Sequence, residues 1–295
     1  MFSGVHTAII TPFRDGAVDL DALARLVERQ VEAGVTGVVP CGTTGESATL
    51  SDDEKLRVIA ATVKAAGGGC RVIAGVGSND TGATVALARA ARETGADGAM
   101  VVTPYYNKPT QEGLYHHYRT VAEAVPGWPL MMYTVPGRCG VTLAPETVDR
   151  LADLPGIEAL KDATVDMEYG GKVAAQSGDR LTLLSGQDGA ALPLWAIGGR
   201  GVVSVVSNLV PAHMVTLWEL FCDGDLDGAR RLHQRLLPLM TGVFLETSPA
   251  PIKTLVARHT GLCTAEMRLP MVPLSAGVGA ALAKVCGALD LELSF

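Results

Sequence analysis

The chain alternates between two hydrophobic patterns. Short apolar runs occur at Val5–Ile10, Gly37–Pro40, Arg71–Ala74, Gly98–Thr103, Leu130–Tyr133, Ile157–Lys161, Leu181–Ser185 and Gly201–Val206. Between them lie amphipathic stretches of about 10–15 residues whose apolar positions recur at helical spacing. One begins near Asp19 and places Leu23, Leu26, Val27 and Val31 on one face. Another begins at Ser51, where Ser51 and Glu54 form a capping-box pair ahead of Leu56, Val58, Ile59 and Val63. Most of the short runs lack clean alternation. Strands apolar on both faces belong to a parallel sheet covered by helices.

Eight strand–helix units repeating roughly every 27 residues predict an α/β fold, a (β/α)8 TIM barrel. An open doubly wound sheet competes with it. That arrangement is weakened because no GxGxxG follows the first strand, and Gly75-Val76-Gly77 has no third glycine in place. There is no GxxxxGK[ST] phosphate loop either. From about Pro211 to Phe295 the pattern turns purely helical. It predicts a catalytic barrel over 1–225 and a C-terminal helical appendage over 226–295, packed on the barrel or serving as a partner-binding surface.

Composition narrows this picture. The 295 residues suit one large barrel with an appendage, and 48% hydrophobic content with 19% charged residues excludes a disordered chain. A net charge of -7 gives no basic footprint for nucleic acid. The start, Met1 to His6, has no cationic segment followed by a long apolar core, so no secretory signal is expected. The longest apolar stretches are interrupted, one by Gly198, Gly199 and Arg200 and the other by Ser275 and Lys284, so no membrane span is expected. The six cysteines are scattered without a CxxC pair and the histidines form no HExxH, which predicts reduced thiols in a cytoplasmic protein and no metal site.

In such a barrel, chemistry sits where strands end. After Pro40 comes Cys41-Gly42-Thr43-Thr44-Gly45-Glu46-Ser47. Glycines flanking paired threonines let backbone amides and hydroxyls converge on a small anion; the same residues also suit an ordinary Gly-rich turn with Thr and Ser caps. After the fourth run come Tyr105 and Tyr106, and after the fifth come Tyr133 and Arg138. A tyrosine there can pass a proton, and an arginine can fork a carboxylate. Only 7 of the 24 basic residues are Lys, and one of them, Lys161, closes the apolar run Ile157–Lys161. Desolvation favours a neutral amine, which is a nucleophile toward carbonyls. A snorkelling lysine, or one paired with Asp162, is the plainer alternative. Nucleophile, proton carrier and anion clamps together are what a keto-acid Schiff-base site requires. Lys253 is a rival lysine, set away from the strand ends in the helical region. Glu46 and Asp188 could form a carboxylate pair, His116 and His117 are expected at the surface, and Met131-Met132 is expected to fill core.

These motifs, in order, resemble the dihydrodipicolinate synthase/N-acetylneuraminate lyase family of pyruvate-dependent class I aldolases. The resemblance is carried by Thr11-Pro12-Phe13, Gly42–Ser47, the stretch Thr103–Glu112, Tyr133 with Val135–Arg138, Leu160–Ala163, Ser185-Gly186 and Gly201–Ser204. It implies a barrel with a C-terminal helical region, assembled as a homotetramer of tight dimers. Within the family the chain is most similar to the branch that condenses pyruvate with aspartate-4-semialdehyde on the route to diaminopimelate and lysine. That resemblance implies that Lys161 forms the imine and that Thr43 and Thr44 hold the pyruvate carboxylate. It implies that Tyr133 carries protons, with Thr43 and a neighbouring subunit's Tyr106 completing the relay. Arg138 would grip the semialdehyde carboxylate, and Gly186 and Val203 would line the pocket. No metal or organic cofactor is implied beyond the lysine imine.

The alternatives are an aldolase or lyase for longer 2-keto acids, of the N-acetylneuraminate or keto-deoxy sugar acid type, and a silent barrel that only binds keto acids. Ser47, Ala48, Asn79 and Tyr105 match the family's lysine-feedback site. Asp52 and Lys55 stand where lysine-sensitive members often carry histidines, and Ala83 replaces a glutamate, so weak or absent lysine feedback is expected.

Overall fold

The computed structural model describes residues 1–290, so 291–295, the end of the expected helical region, lie outside the described residues. The eight barrel strands are β1 (Gly4–Ala8), β2 (Gly37–Val39), β3 (Arg71–Gly75), β4 (Gly98–Val102), β5 (Leu130–Thr134), β6 (Ile157–Asp162), β7 (Thr182–Ser185) and β8 (Gly201–Ser204). Each pairs in parallel with the next, and β8 pairs back onto β1 to close the barrel. The eight expected runs are these eight strands, each within a few residues. The open-sheet alternative is excluded by the β1–β8 ladder, which runs from Gly4 opposite Gly201 to Thr7 opposite Ser204.

The strands are buried on both faces for the reason the sequence gives. In β5, Met131 and Tyr133 point to the barrel axis, where they join Val39, Ile73, Met100, Ala159, Leu184 and Val203. Leu130 and Met132 point outward into the larger layer between sheet and helices. Both methionines are core residues, as expected.

The surrounding helices are α1 (Leu20–Glu32), α2 (Asp52–Ala66), α3 (Thr81–Arg92), α4 (Gln111–Ala124), α5 (Pro145–Ala152), α6 (Met167–Ser177), α7 (Ala191–Ala196) and α8 (Pro211–Cys222). Most start on a side-chain cap: Asp19 for α1, Asp80 for α3, Thr110 for α4 and Asp166 for α6. Ser51 and Glu54 complete the capping box of α2 as the sequence predicts. Three further helices follow: α9 (Leu226–Gly242), α10 (Ala250–Thr260) and α11 (Ala276–Ala288). Helix α9 packs on α8 and α11, so the C-terminal region lies against the barrel. One small feature was not anticipated. Phe13–Arg14 and Ala17–Val18 form a two-stranded ribbon after β1, turning at Asp15 and Gly16, both at positive φ. Among the described residues no helix is long and apolar enough to cross a membrane.

Candidate active site

The candidate chemistry converges at the C-terminal end of the barrel. On β6, alternation puts Ala159 and Lys161 on the axis side, and the ladder sets Lys161 directly opposite Tyr133 of β5. The Lys161 Nζ lies 4.1 Å from the centroid of the Tyr133 ring. Only 5% of Lys161 is exposed. Burial pushes its ammonium down to about 7, Asp188 opposing and Arg138 reinforcing the shift. A large fraction of this amine is therefore neutral near neutral pH, which an ordinary lysine is not.

Tyr133 is equally buried, which pushes its phenol up to about 12 even though Arg138 and a hydrogen bond with the Thr43 side chain pull the other way. The phenol stays protonated, so it can donate a proton at neutral pH and take one back through Thr43. The Thr43–Thr44 loop follows β2 and is folded by three backbone bonds: Gly45 to Gly42, Glu46 to Thr43 and Ser47 to Gly42. Cys41 and Glu46, at φ 58 and 53, bracket it in the left-handed region. Such geometry around Thr43 and Thr44 costs conformational energy that the surroundings must offset.

Gly186 closes another side. Its amide donates to the Asp162 carbonyl at 2.6 Å, and a Cβ there would stand 3.1 Å from the Lys161 Cε and 2.8 Å from the Ala163 Cβ. Any larger residue would press on the lysine. Val203 is fully buried on the inner face of β8. Arg138 projects from a one-turn helix, Pro136–Cys139, directly after β5, and donates to the Ser248 carbonyl at 3.3 Å. It is exposed, yet its charge is felt by both Lys161 and Tyr133.

Tyr106 is not part of this cluster. It is 87% exposed on the loop after β4, at φ 71, pointing away from the rest of its own chain. Its neighbour Tyr105 is 38% exposed, and Asn107 ties the loop to the Asn79 carbonyl at 2.8 Å. Ser47 and Ala48 lie on the short turn before α2. In the first turn of α2, the half-buried Lys55 pairs with the exposed Asp52 at 2.9 Å.

His117, Glu46 with Asp188, and Lys253 lie otherwise than their sequence contexts predict. His117 is not at the surface: it is 4% exposed on the buried face of α4 with Leu114, Tyr118 and Val121, and burial pushes it down to about 4. Its Nδ1 meets the Thr81 hydroxyl at 2.9 Å, while His116 faces out beside Glu112. Glu46 and Asp188 do not act as a pair; each has its own partners. The Glu46 carboxylate takes the Lys253 ammonium at 2.6 Å, which engages the rival lysine in an ion pair and brings it to the strand ends.

Asp188 is the residue whose role the sequence hid. It is fully buried, and its Oδ2 accepts from the amides of Val205 at 2.9 Å and Val206 at 3.1 Å, while its Oδ1 has no partner. Its charge acts on Lys161. The signal was available two residues after Gly186, but nothing local showed which way the side chain turned. Among the described residues no cluster of His, Cys, Asp and Glu is placed to hold a metal. All six cysteines are free, five of them buried.

A desolvated lysine at the C-terminal end of a closed parallel barrel is placed to form an imine with a carbonyl substrate, the chemistry of a class I aldolase. The chain belongs to the dihydrodipicolinate synthetase family, whose model matches residues 1–288. It is 47% identical over 274 residues to 4-hydroxy-tetrahydrodipicolinate synthase of Pelobacter propionicus, covering 93% of this chain and 94% of that one. The crystal structure of dihydrodipicolinate synthase from Aquifex aeolicus superposes with a TM-score of 0.97 at 41% identity over the whole of both chains. A monomeric dihydrodipicolinate synthase variant superposes with a TM-score of 0.96 at 40% identity, over 99% of this chain and 98% of that one.

Proposed function

We propose that this protein is a 4-hydroxy-tetrahydrodipicolinate synthase that condenses pyruvate with L-aspartate-4-semialdehyde through an imine on Lys161. The observation that carries the reading is the Lys161 ammonium, buried against the Tyr133 ring and pushed down to about 7. The neutral amine adds to the pyruvate carbonyl, and the carbinolamine hydroxyl takes a proton from Tyr133 and leaves as water, giving a protonated imine. That imine is a stronger electron sink than the ketone, so the methyl group can return a proton to the Tyr133 phenolate and become an enamine. The enamine carbon bonds to the aldehyde carbon of the semialdehyde, and the new alkoxide takes a proton from Tyr133. The semialdehyde's own amine then displaces Lys161 from the imine carbon, which closes the ring and regenerates the lysine.

In this scheme Thr43 and Thr44 hold the pyruvate carboxylate and relay protons with Tyr133. Gly186 and Val203 shape the pocket, Arg138 receives the semialdehyde carboxylate, and the imine replaces any external cofactor. A partner subunit supplies Tyr106, the assembly being a cytoplasmic homotetramer built from dimers. Ser47, Ala48, Asn79 and Tyr105 form a degenerate regulatory site, the Lys55 cation disfavouring a cationic effector.

Borohydride reduction in the presence of pyruvate, followed by peptide mass mapping, tests the reading. A pyruvate adduct on the peptide containing Lys161 is expected, and its absence would sink the imine mechanism. The Arg138→Ala variant separates the two substrates. It is expected to raise the KM for the semialdehyde by about tenfold or more, the scale of one lost charge-assisted contact, while pyruvate still labels Lys161. A variant that lost labelling instead would reassign Arg138 to the pyruvate side.

A further inference from the structure

A chain of charged groups, buried at Glu46 and Lys253 and half-buried at Arg268 and Glu54, stands behind the Thr43–Thr44 loop, outside the proposed chemistry. Glu46 ends that loop and is 5% exposed. Its Oε1 accepts from Lys253 Nζ at 2.6 Å, and its Oε2 accepts from the Arg268 backbone amide at 3.2 Å. Lys253 belongs to α10 and is 0% exposed. The Phe13 ring contacts both cations, with Lys253 Nζ 4.1 Å and the Arg268 guanidinium carbon 4.6 Å from its centroid. The Arg268 guanidinium then forks Glu54 at 2.8 and 2.6 Å and donates to the Thr49 carbonyl at 2.9 Å. The C-terminal region therefore grips the segment from Glu46 to Glu54 at both ends.

A fully buried ion pair is a poor way to add stability, since desolvating two charges offsets most of their attraction. It is a good way to fix a position. A carboxylate held by two donors of fixed origin has one place to sit, and the left-handed backbone of Glu46 needs such a hold. The hold reaches Thr43 through one bond, because the Glu46 amide donates to the Thr43 carbonyl at 3.0 Å. Thr11 adds a second restraint by donating to the Gly45 carbonyl at 2.7 Å.

We propose that Glu46 and Lys253 are positioning residues that make the C-terminal helical region part of the pyruvate site, by fixing the loop that presents Thr43 and Thr44 to the keto-acid carboxylate. This rests on the reading that those threonines receive that carboxylate.

The test is steady-state kinetics on full-length Glu46→Gln, Lys253→Met and the double variant, with thermal melting and borohydride labelling run in parallel. The single variants are expected to raise the KM for pyruvate by about tenfold or more, the scale set by a small misplacement of a binding group. Their kcat and their KM for the semialdehyde should stay close to the parent values, and saturating pyruvate should still label Lys161. Each single variant leaves one buried charge alone and is expected to lower Tm. The double variant removes both charges, so Tm should recover while the raised KM for pyruvate persists. That split separates positioning from a merely structural role. The proposal is overturned by a folded variant with the parent KM for pyruvate, by equal losses across both substrates and kcat, or by a double variant that does not fold. Absence of any adduct in the parent chain would overturn it together with the imine reading. Normal labelling with an unmoved KM would overturn it alone.

Discussion

At the scale of single residues, the decisive quantity is the proton on Lys161. Burial lowers its affinity for that proton, and the Asp188 carboxylate raises it. The proposed reaction begins with the neutral amine, so the sign of each effect on rate is fixed. Imine formation at low pyruvate should rise with pH through about 7 and then level; below that it should fall close to tenfold for each pH unit. Replacing Asp188 by Asn removes the charge that favours the ammonium while keeping an acceptor for the Val205 and Val206 amides. The acid limb of the pH–rate profile is therefore expected to move to lower pH in Asp188→Asn. A limb that moved to higher pH would show that Asp188 acts on some other group. Of the two buried lysines, Lys161 and not Lys253 is the proposed nucleophile on the same ground. Lys253 meets a carboxylate at 2.6 Å, whereas Lys161 meets an aromatic face. Burial lowers the Lys253 ammonium as well, but the Glu46 carboxylate opposes that shift and engages the Nζ, so it presents no free lone pair.

At the scale of elements, the strands and helices were legible because their patterns are local. Two-faced burial marks the strands, and Ser51 with Glu54 marks a helix start without reference to anything distant. Lys161 was legible because period-two alternation from Ala159 aims it inward. Features that depend on tertiary placement were not legible. Glu46 and Lys253 are 207 residues apart in sequence, and no local pattern links them. His117 reads as polar, yet it falls on the helical face of Leu114, Tyr118 and Val121. The two-residue strands of the Phe13–Val18 ribbon are too short for periodicity, and only the Asp15-Gly16 turn signals them.

Close approach between elements is equally hidden, and it supports a further prediction. Gly75 ends β3 directly beneath the loop, where a Cβ would stand 2.3 Å from the Cys41 carbonyl oxygen and 3.0 Å from the Gly42 amide nitrogen. Backbone cannot swing aside as a side chain can. Gly75→Ala is expected to cost about 1–3 kcal/mol of stability, the usual range for overpacking, and to weaken pyruvate binding by displacing Thr43 and Thr44. A thermal melt and pyruvate titration equal to those of the parent would show that the loop tolerates the shift.

At the scale of the whole molecule, the site described by one chain is short of one expected member. Lys161, Tyr133, Thr43 and Gly186 come together, but Tyr106 stands 87% exposed in a left-handed conformation. A bulky residue at positive φ is strained, and strain of that kind persists where surroundings or function hold it. An aromatic side chain projected into solvent gains nothing from its own fold. A second chain that buries this ring would both cover it and bring a hydroxyl to the neighbouring site. Complementation between two inactive variants tests this directly. Lys161→Ala lacks the nucleophile and Tyr106→Phe lacks the hydroxyl, so each alone should be nearly inactive. In a mixed assembly, the chain that keeps Lys161 faces a partner that keeps Tyr106, and one complete site is restored. Differently tagged variants, co-expressed and purified through both tags, should therefore regain a substantial share of parental activity. The share is expected to be about a quarter to a half of the parental rate per chain, since at best one site in each mixed pair is intact. Activity no higher than that of the two separate variants would place Tyr106 outside the proton relay and leave Tyr133 and Thr43 to carry it within one chain.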